Sequence, residues 1–189
     1  MLKTLPLIKR VGQQTMANEA IIERRNTISV PPFQNTVIND YVPFYFSIRT
    51  PMLFNIITGK GVKKRHQADI IYMVFKLTDL ANDKFQWCFT DGNATKEISK
   101  WFTDLKNLNK IDWRSIYSTD FSSDNIDVDT DRIRKKHAEF LVKNHVPSDL
   151  ITALIVYNTS TKVKVDNLLK KINFVTNVVV SPHDKFYFG

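Results

Sequence analysis

The chain carries one cysteine, five glycines and no apolar run that approaches the roughly 18 residues of a membrane-spanning helix. Each scarcity excludes something. A lone thiol, Cys88, closes no intramolecular disulfide and offers zinc no cluster of thiolates, a pattern that suits a reducing, cytoplasmic setting. With so few glycines there is no Gly-rich loop to cradle phosphates and no G-x-S-x-G elbow to expose a serine. P-loop, Rossmann and α/β-hydrolase chemistry therefore drop out. The opening "MLKTLPLIKR" has too short an apolar stretch for a signal peptide. Metal ligation fares no better. The alternating carboxylates of "DVDTD" (127–131) begin like a calcium loop, but Arg132 and Ala138 stand where that loop needs Gly and Glu, which leaves a solvated acidic turn. His137 and His145 belong to no H-E-x-x-H pattern, so no metal site is expected.

Aromatic and basic residues are plentiful. Hydrophobics make up 43% of the 189 residues and phenylalanine alone contributes 13, enough for one domain spanning 1–189 to bury a core and fold alone. Lys and Arg total 27 against 19 Asp and Glu, a net charge of +8. The excess is uneven: residues 1–70 hold 10 basic and 4 acidic residues, 112–131 hold 1 and 6, and 132–189 hold 10 and 4. Two basic ends favour a polyanion such as nucleic acid, because neutralised phosphates release condensed counterions. Charge alone is equally consistent with a surface that only keeps the protein soluble.

Local pattern supplies the elements. "MANEAIIERR" (16–25) reads as a helix with Ile21 and Ile22 inward, and Pro31 and Pro32 force an extended path after it. "YVPFYFSI" (41–48) reads as a strand, with Pro43 placing it at an edge. Thr50 and Pro51 then form a cap and first turn for a helix that Gly59 stops. "IIYMVFKL" (70–77) and "FQWCFTD" (85–91) read as strands sharing one sheet. "ATKEISKWFTDL" (94–105) spaces Ile98, Trp101, Phe102 and Leu105 as the core face of a helix. "STDFSSDNIDVDTD" (118–131) is a polar loop, and "RIRKKHAEFLVKNHV" (132–146) reads as a helix ending before Pro147. "ALIVYN" (153–158), a helix over 161–172, the strand "NVVVS" (177–181) and the terminal "KFYFG" complete an α+β pattern, a mixed sheet core with flanking helices.

The stretch "NDYVPFYFSIRTPML" (39–53) resembles the signature of the DarT family, toxins that ADP-ribosylate DNA and are paired with a DarG antitoxin. "IIERRNTISVP" (21–31), "FTDGNA" (89–94), "NKIDW" (109–113) and "KKHAEFLV" (135–142) resemble further family segments in the same order. The resemblance runs from about residue 11 to the C-terminus. It implies an ADP-ribosyltransferase-like fold that takes NAD as substrate and moves ADP-ribose onto a base of single-stranded DNA, thymine being the family's best-known target. A DarG-like antitoxin with a macrodomain is the implied protein partner of a chain expected to be a monomer with no membrane attachment.

The resemblance also implies the site. Glu139 matches the catalytic glutamate, whose carboxylate would stabilise the oxocarbenium-like sugar formed as the nicotinamide bond breaks. Without the motif, an ion pair with Lys135 or Lys136 on a helix face would be its simpler explanation. Arg25 matches the arginine assigned to the acceptor base, where a permanent cation acts as electrostatic stabiliser. Tyr45, Phe46, Met52, Leu53 and Asn93 fall to the NAD pocket, and Arg49 to the phosphates or the DNA backbone. Half of the aromatics in an alternating strand must be core, and Tyr45 and Arg49 share the other face by even spacing. Lys63, Lys64 and Arg65, with Lys135 and Lys136, would guide the DNA strand. Asn93 and Asn39 stand where the family has histidines, and the family's N-terminal histidine-bearing strand has no counterpart before His66, so the chain reads as N-terminally short. The alternative is a catalytically silent relative that binds single-stranded DNA or an antitoxin.

Overall fold

The computed structural model describes residues 19–119, 131–181 and 186–188. The opening decapeptide, the first helix's expected start at 16–18 and most of the acidic stretch 118–131 lie outside them. Two sheets organise the described chain. A four-stranded sheet has the order β1 (Tyr41–Tyr45), β5 (Glu139–Lys143), β3 (Trp87–Thr90), β4 (Trp101–Phe102), a three-stranded sheet the order β2 (Tyr72–Val74), β6 (Ala153–Val156), β7 (Asn177–Val180), and the short helices α3 (Leu77–Leu80) and α4 (Trp113–Tyr117) lie between strands.

β1 (Tyr41–Tyr45) lies at the edge of the larger sheet, where the missing N–H of Pro43 leaves no ladder bond unmade. α2 (Pro51–Thr58) forms as its sequence signals dictate. The Thr50 hydroxyl accepts the Leu53 N–H at 3.2 Å, Pro51 opens the first turn, and Gly59 closes the helix at φ 80°. β5 (Glu139–Lys143) is central, antiparallel to both β1 and β3 (Trp87–Thr90). Alternation sends Phe89, Phe140 and Val142 into a core with Ile116, while Cys88 and Leu141 pack on the opposite face with Val30, Ile38 and Tyr41. In the smaller sheet, β6 (Ala153–Val156) pairs in parallel with β7 (Asn177–Val180) through the crossover helix α6 (Thr159–Lys171), and antiparallel with β2 (Tyr72–Val74). Tyr187 locks the C-terminal segment to it, its hydroxyl 2.8 Å from the Ile70 carbonyl and 2.9 Å from that of Ile155.

Three expectations need correction. The stretch 132–146 is not one helix: α5 (Arg132–Lys136) stops, and β5 begins at Glu139. Glu139 to Val142 are all buried because a central strand covered on both faces takes a continuous apolar run, which one helix face cannot do. The stretch 94–105 is not a helix either. It is a loop followed by β4 (Trp101–Phe102), and Ile98, expected in the core, is 70% exposed. Finally, β2 and β3 belong to different sheets. α1 (Glu19–Thr27) is present as expected, with Ile21 and Ile22 half-buried.

Candidate active site

Glu139 is the first residue of β5, paired across the sheet with Tyr45. Its side chain is 4% exposed, an unusual place for a carboxylate without a partner. Arg25, from α1, supplies the partner. Its Nη1 donates to both carboxylate oxygens, at 3.3 and 3.1 Å, and its Nη2 to Oε2 at 3.2 Å. Such a forked contact fixes direction as well as charge. The Ala94 N–H adds a long contact to Oε1 at 3.4 Å, and the Glu139 N–H donates to the Thr90 hydroxyl at 3.2 Å. A sequence separation of 114 residues between Arg25 and Glu139 collapses into one ion pair, the two residues singled out as a catalytic pair.

Tyr45 stands beside them. Its surface is 37% exposed, yet burial raises the pKa of its phenol, Glu139's charge raises it further and Arg25's opposes. Arg49 sits at φ 51°, a left-handed conformation that a non-glycine residue rarely adopts. Its N–H donates to the Tyr72 hydroxyl at 3.3 Å, which in turn donates to the Phe186 carbonyl at 2.9 Å, and burial pushes the Tyr72 phenol up to about 12. Among the described residues the Arg49 guanidinium makes no ion pair, so it is available to a phosphate.

Other expected site residues are placed differently. Phe46 points its ring edge-on at Phe89, Trp113 and Phe140, a core position rather than a pocket wall. Leu53 is 4% exposed and packs with Ile56, Ile70 and Ile155, with Met52 against the same cluster, because their helix lays that face on the smaller sheet. Asn93 spends its side-chain oxygen on the Thr95 N–H and hydroxyl, which shapes the loop that presents Ala94 to Glu139. Lys136 is 3% exposed and donates to the carbonyls of Ile116 and Ser118, and Lys135 pairs with Asp112 at 3.4 Å, so the structure does not offer this basic run to DNA. Burial, with the charges of Arg132 and Arg49, lowers the Lys136 ammonium to about 8. Lys63 and Lys64 are exposed and Arg65 half-buried; Lys64 and Arg65 line a cleft of about 310 Å³ with Ile57, His66 and Gln67. That cleft does not touch Glu139. Thr90, Gly92 and Arg134 were missed from the sequence; their one signal was position inside or beside two motif segments. Among the described residues no three His, Cys, Asp or Glu side chains gather as a metal site.

The two-sheet topology matches solved structures of the ADP-ribosyltransferase class, and comparison with known proteins narrows it. A family model described as DarT, ssDNA thymidine ADP-ribosyltransferase, matches residues 7–188. A DNA ADP-ribosyl transferase of Escherichia coli O127:H6 is 31% identical over 186 residues, 97% of this chain and 83% of the relative. The structure of Thermus sp. 2.9 DarT in complex with ADP-ribosylated ssDNA aligns with TM-score 0.83 at 29% identity, covering 93% of this chain and 82% of that one. The same protein in complex with carba-NAD+ gives a TM-score of 0.77 at 26% identity, covering 93% and 83%. The chain belongs to the DarT family. It is therefore an NAD-dependent DNA ADP-ribosyltransferase, with single-stranded DNA as its acceptor.

Proposed function

We propose that Glu139 and Arg25 carry this transfer, with Tyr45 and Arg49 holding NAD beside them. One observation carries the reading: the forked Arg25–Glu139 pair, buried at the head of the central strand next to a solvent-reachable tyrosine. The bond from the ribose C1′ to the nicotinamide nitrogen breaks, its electron pair leaving with nicotinamide, and a bond from C1′ to the thymine imide nitrogen forms as that nitrogen gives up its proton to water. Glu139 stabilises the positive charge that grows on the sugar between these events. Arg25 stabilises the negative charge that grows on the base oxygens, and it remains a cation throughout. The residues present suit the substrate: Arg49 has a guanidinium that makes no ion pair among the described residues and can take the pyrophosphate, and Tyr45 has an accessible ring for stacking. The exposed Lys63 and Lys64 track the DNA backbone.

A DarG-like antitoxin with a macrodomain, a monomeric state, a cytoplasmic setting and no membrane attachment complete the proposal. The structure of Thermosipho africanus DarTG in complex with ADP-ribose shares the fold at TM-score 0.63 and 22% identity. No helix among the described residues is long and apolar enough to cross a membrane.

The division of labour can be tested with Arg25→Ala, reading both thymine modification by mass spectrometry and release of nicotinamide to water. Loss of DNA modification with residual NAD cleavage is expected. Equal loss of both would assign Arg25 to the NAD half of the reaction instead.

A further inference from the structure

The loop between β3 and β4 touches Glu139 and the neighbour of Arg25 in α1, and one side chain outside the pair holds that loop. Arg134, in α5, is 12% exposed and uses every nitrogen of its guanidinium. Nε and Nη2 donate to the two oxygens of Asp131, at 2.5 and 2.7 Å, while Nη1 donates to Asp91 at 2.9 Å and to the Ser99 hydroxyl at 3.0 Å. Its carbonyl also accepts the Asn93 N–H at 2.9 Å. The loop is thus gripped at its start, middle and end from a helix that stops three residues before Glu139.

From the gripped loop, contacts continue to the chemistry. Thr90 donates its hydroxyl to the Gly92 carbonyl at 2.6 Å, which orients the hydroxyl oxygen to accept the Glu139 N–H. Ala94 directs its N–H at the Glu139 carboxylate, and the Thr95 carbonyl accepts from Arg24 at 3.1 Å, the residue beside Arg25. Gly92 makes the grip possible. A β-carbon there would meet Arg134 Nη1 at 2.2 Å and Cζ at 2.9 Å, with Arg134 atoms as its three nearest neighbours, and the glycine's φ lies outside the left-handed region. A methyl at 92 therefore meets the Arg134 side chain first, with no left-handed backbone to strain.

We infer that Arg134 is a positioning residue for the transfer reaction, setting Glu139 and Arg25 through the 91–99 loop, with Gly92 as the space it requires. The inference rests on the assignment of Glu139 and Arg25 as the catalytic pair. Misplacement of reacting groups by about 1 Å lowers turnover by up to roughly a hundredfold, so the effect should appear in kcat while NAD and DNA still bind.

The experiment measures kcat and KM for NAD and for a thymine-containing oligonucleotide in the wild type, Arg134→Ala, Arg134→Lys, Gly92→Ala and the Gly92→Ala/Arg134→Ala pair, with Glu139→Gln as reference. Gly92→Ala is expected to lower kcat between about tenfold and a hundredfold with both KM values within about twofold. Lysine, which cannot span Asp131 and Asp91 together, should not rescue. The double variant should be no worse than Arg134→Ala, because the added methyl then meets no guanidinium. Should Arg134→Ala fail to fold, Gly92→Ala alone decides. Wild-type kcat in Gly92→Ala, a rise in KM without loss of kcat, or multiplying effects in the double variant would overturn the inference. An active Glu139→Gln would instead overturn the catalytic assignment beneath it.

Discussion

Two basic runs, 60–65 and 132–136, look alike in sequence and meet opposite fates. Lys63 and Lys64 project into solvent. Arg134 and Lys135 are held by Asp91, Asp112 and Asp131, and Lys136 is buried against carbonyls. The difference does not lie in the cations. It lies in which carboxylates and carbonyls the fold brings to them, so one run stays available for phosphate and the other becomes part of the scaffold behind Glu139.

Substitutions should separate the two runs. The largest effect on stability belongs to Lys136→Ala, which strips the donor from two carbonyls. We expect a loss of about 2 kcal/mol, a fall in melting temperature of about 4–8 °C; an unchanged melting temperature would show that the amine contributes nothing. Its pH dependence sharpens the point. Folding lowers the ammonium from its ordinary 10.5 to about 8, so between those values the unfolded chain holds a proton that the folded chain has shed. Unfolding then takes up a proton, and stability rises with pH across that window. The stability of the wild type relative to Lys136→Met should accordingly increase from pH 8 towards 10, and a flat difference would contradict the burial of a titrating amine.

A smaller effect, and of a different kind, is expected of the double variant Lys63→Ala/Lys64→Ala. Single-stranded DNA affinity should fall, and the slope of log K against log salt should shrink by about 0.7 for each phosphate that the lysines no longer neutralise, with the melting temperature unmoved. An unchanged slope would remove this run from the DNA path. The smallest effect belongs to Lys135→Ala, whose partly exposed ion pair with Asp112 is worth less than about 1 kcal/mol. A larger drop in DNA affinity there than at Lys63 and Lys64 would reverse the comparison.

Legibility from the sequence followed the range of the signals. Thr50, Pro51 and Gly59 act on their immediate neighbours, so α2 was readable to the residue. Pro43 announced an edge strand for the same reason. Glu139 was readable only through the motif around it. Its strand was mistaken for helix because "KKHAEFLV" is rich in helix formers, and only placement between β1 and β3 decides otherwise. Trp101 and Phe102 sat at helical spacing from Ile98 by coincidence, since the latter is exposed. The roles of Lys136 and Arg134 depend on Ile116, Asp91 and Ser99, partners 20 to 43 residues away that no local pattern connects. Alternation puts Tyr45 opposite Glu139 and turns Phe46 to the core side, a separation that the family resemblance alone does not make.

The most direct measurement is mass spectrometry of a thymine-containing single-stranded oligonucleotide incubated with NAD and either the wild-type chain or Glu139→Ala, with folding of both verified by circular dichroism. A gain of one ADP-ribose with the wild type and none with the folded variant is the expected result. Equal modification by both would contradict the central claim that the carboxylate at the head of β5 carries the transfer.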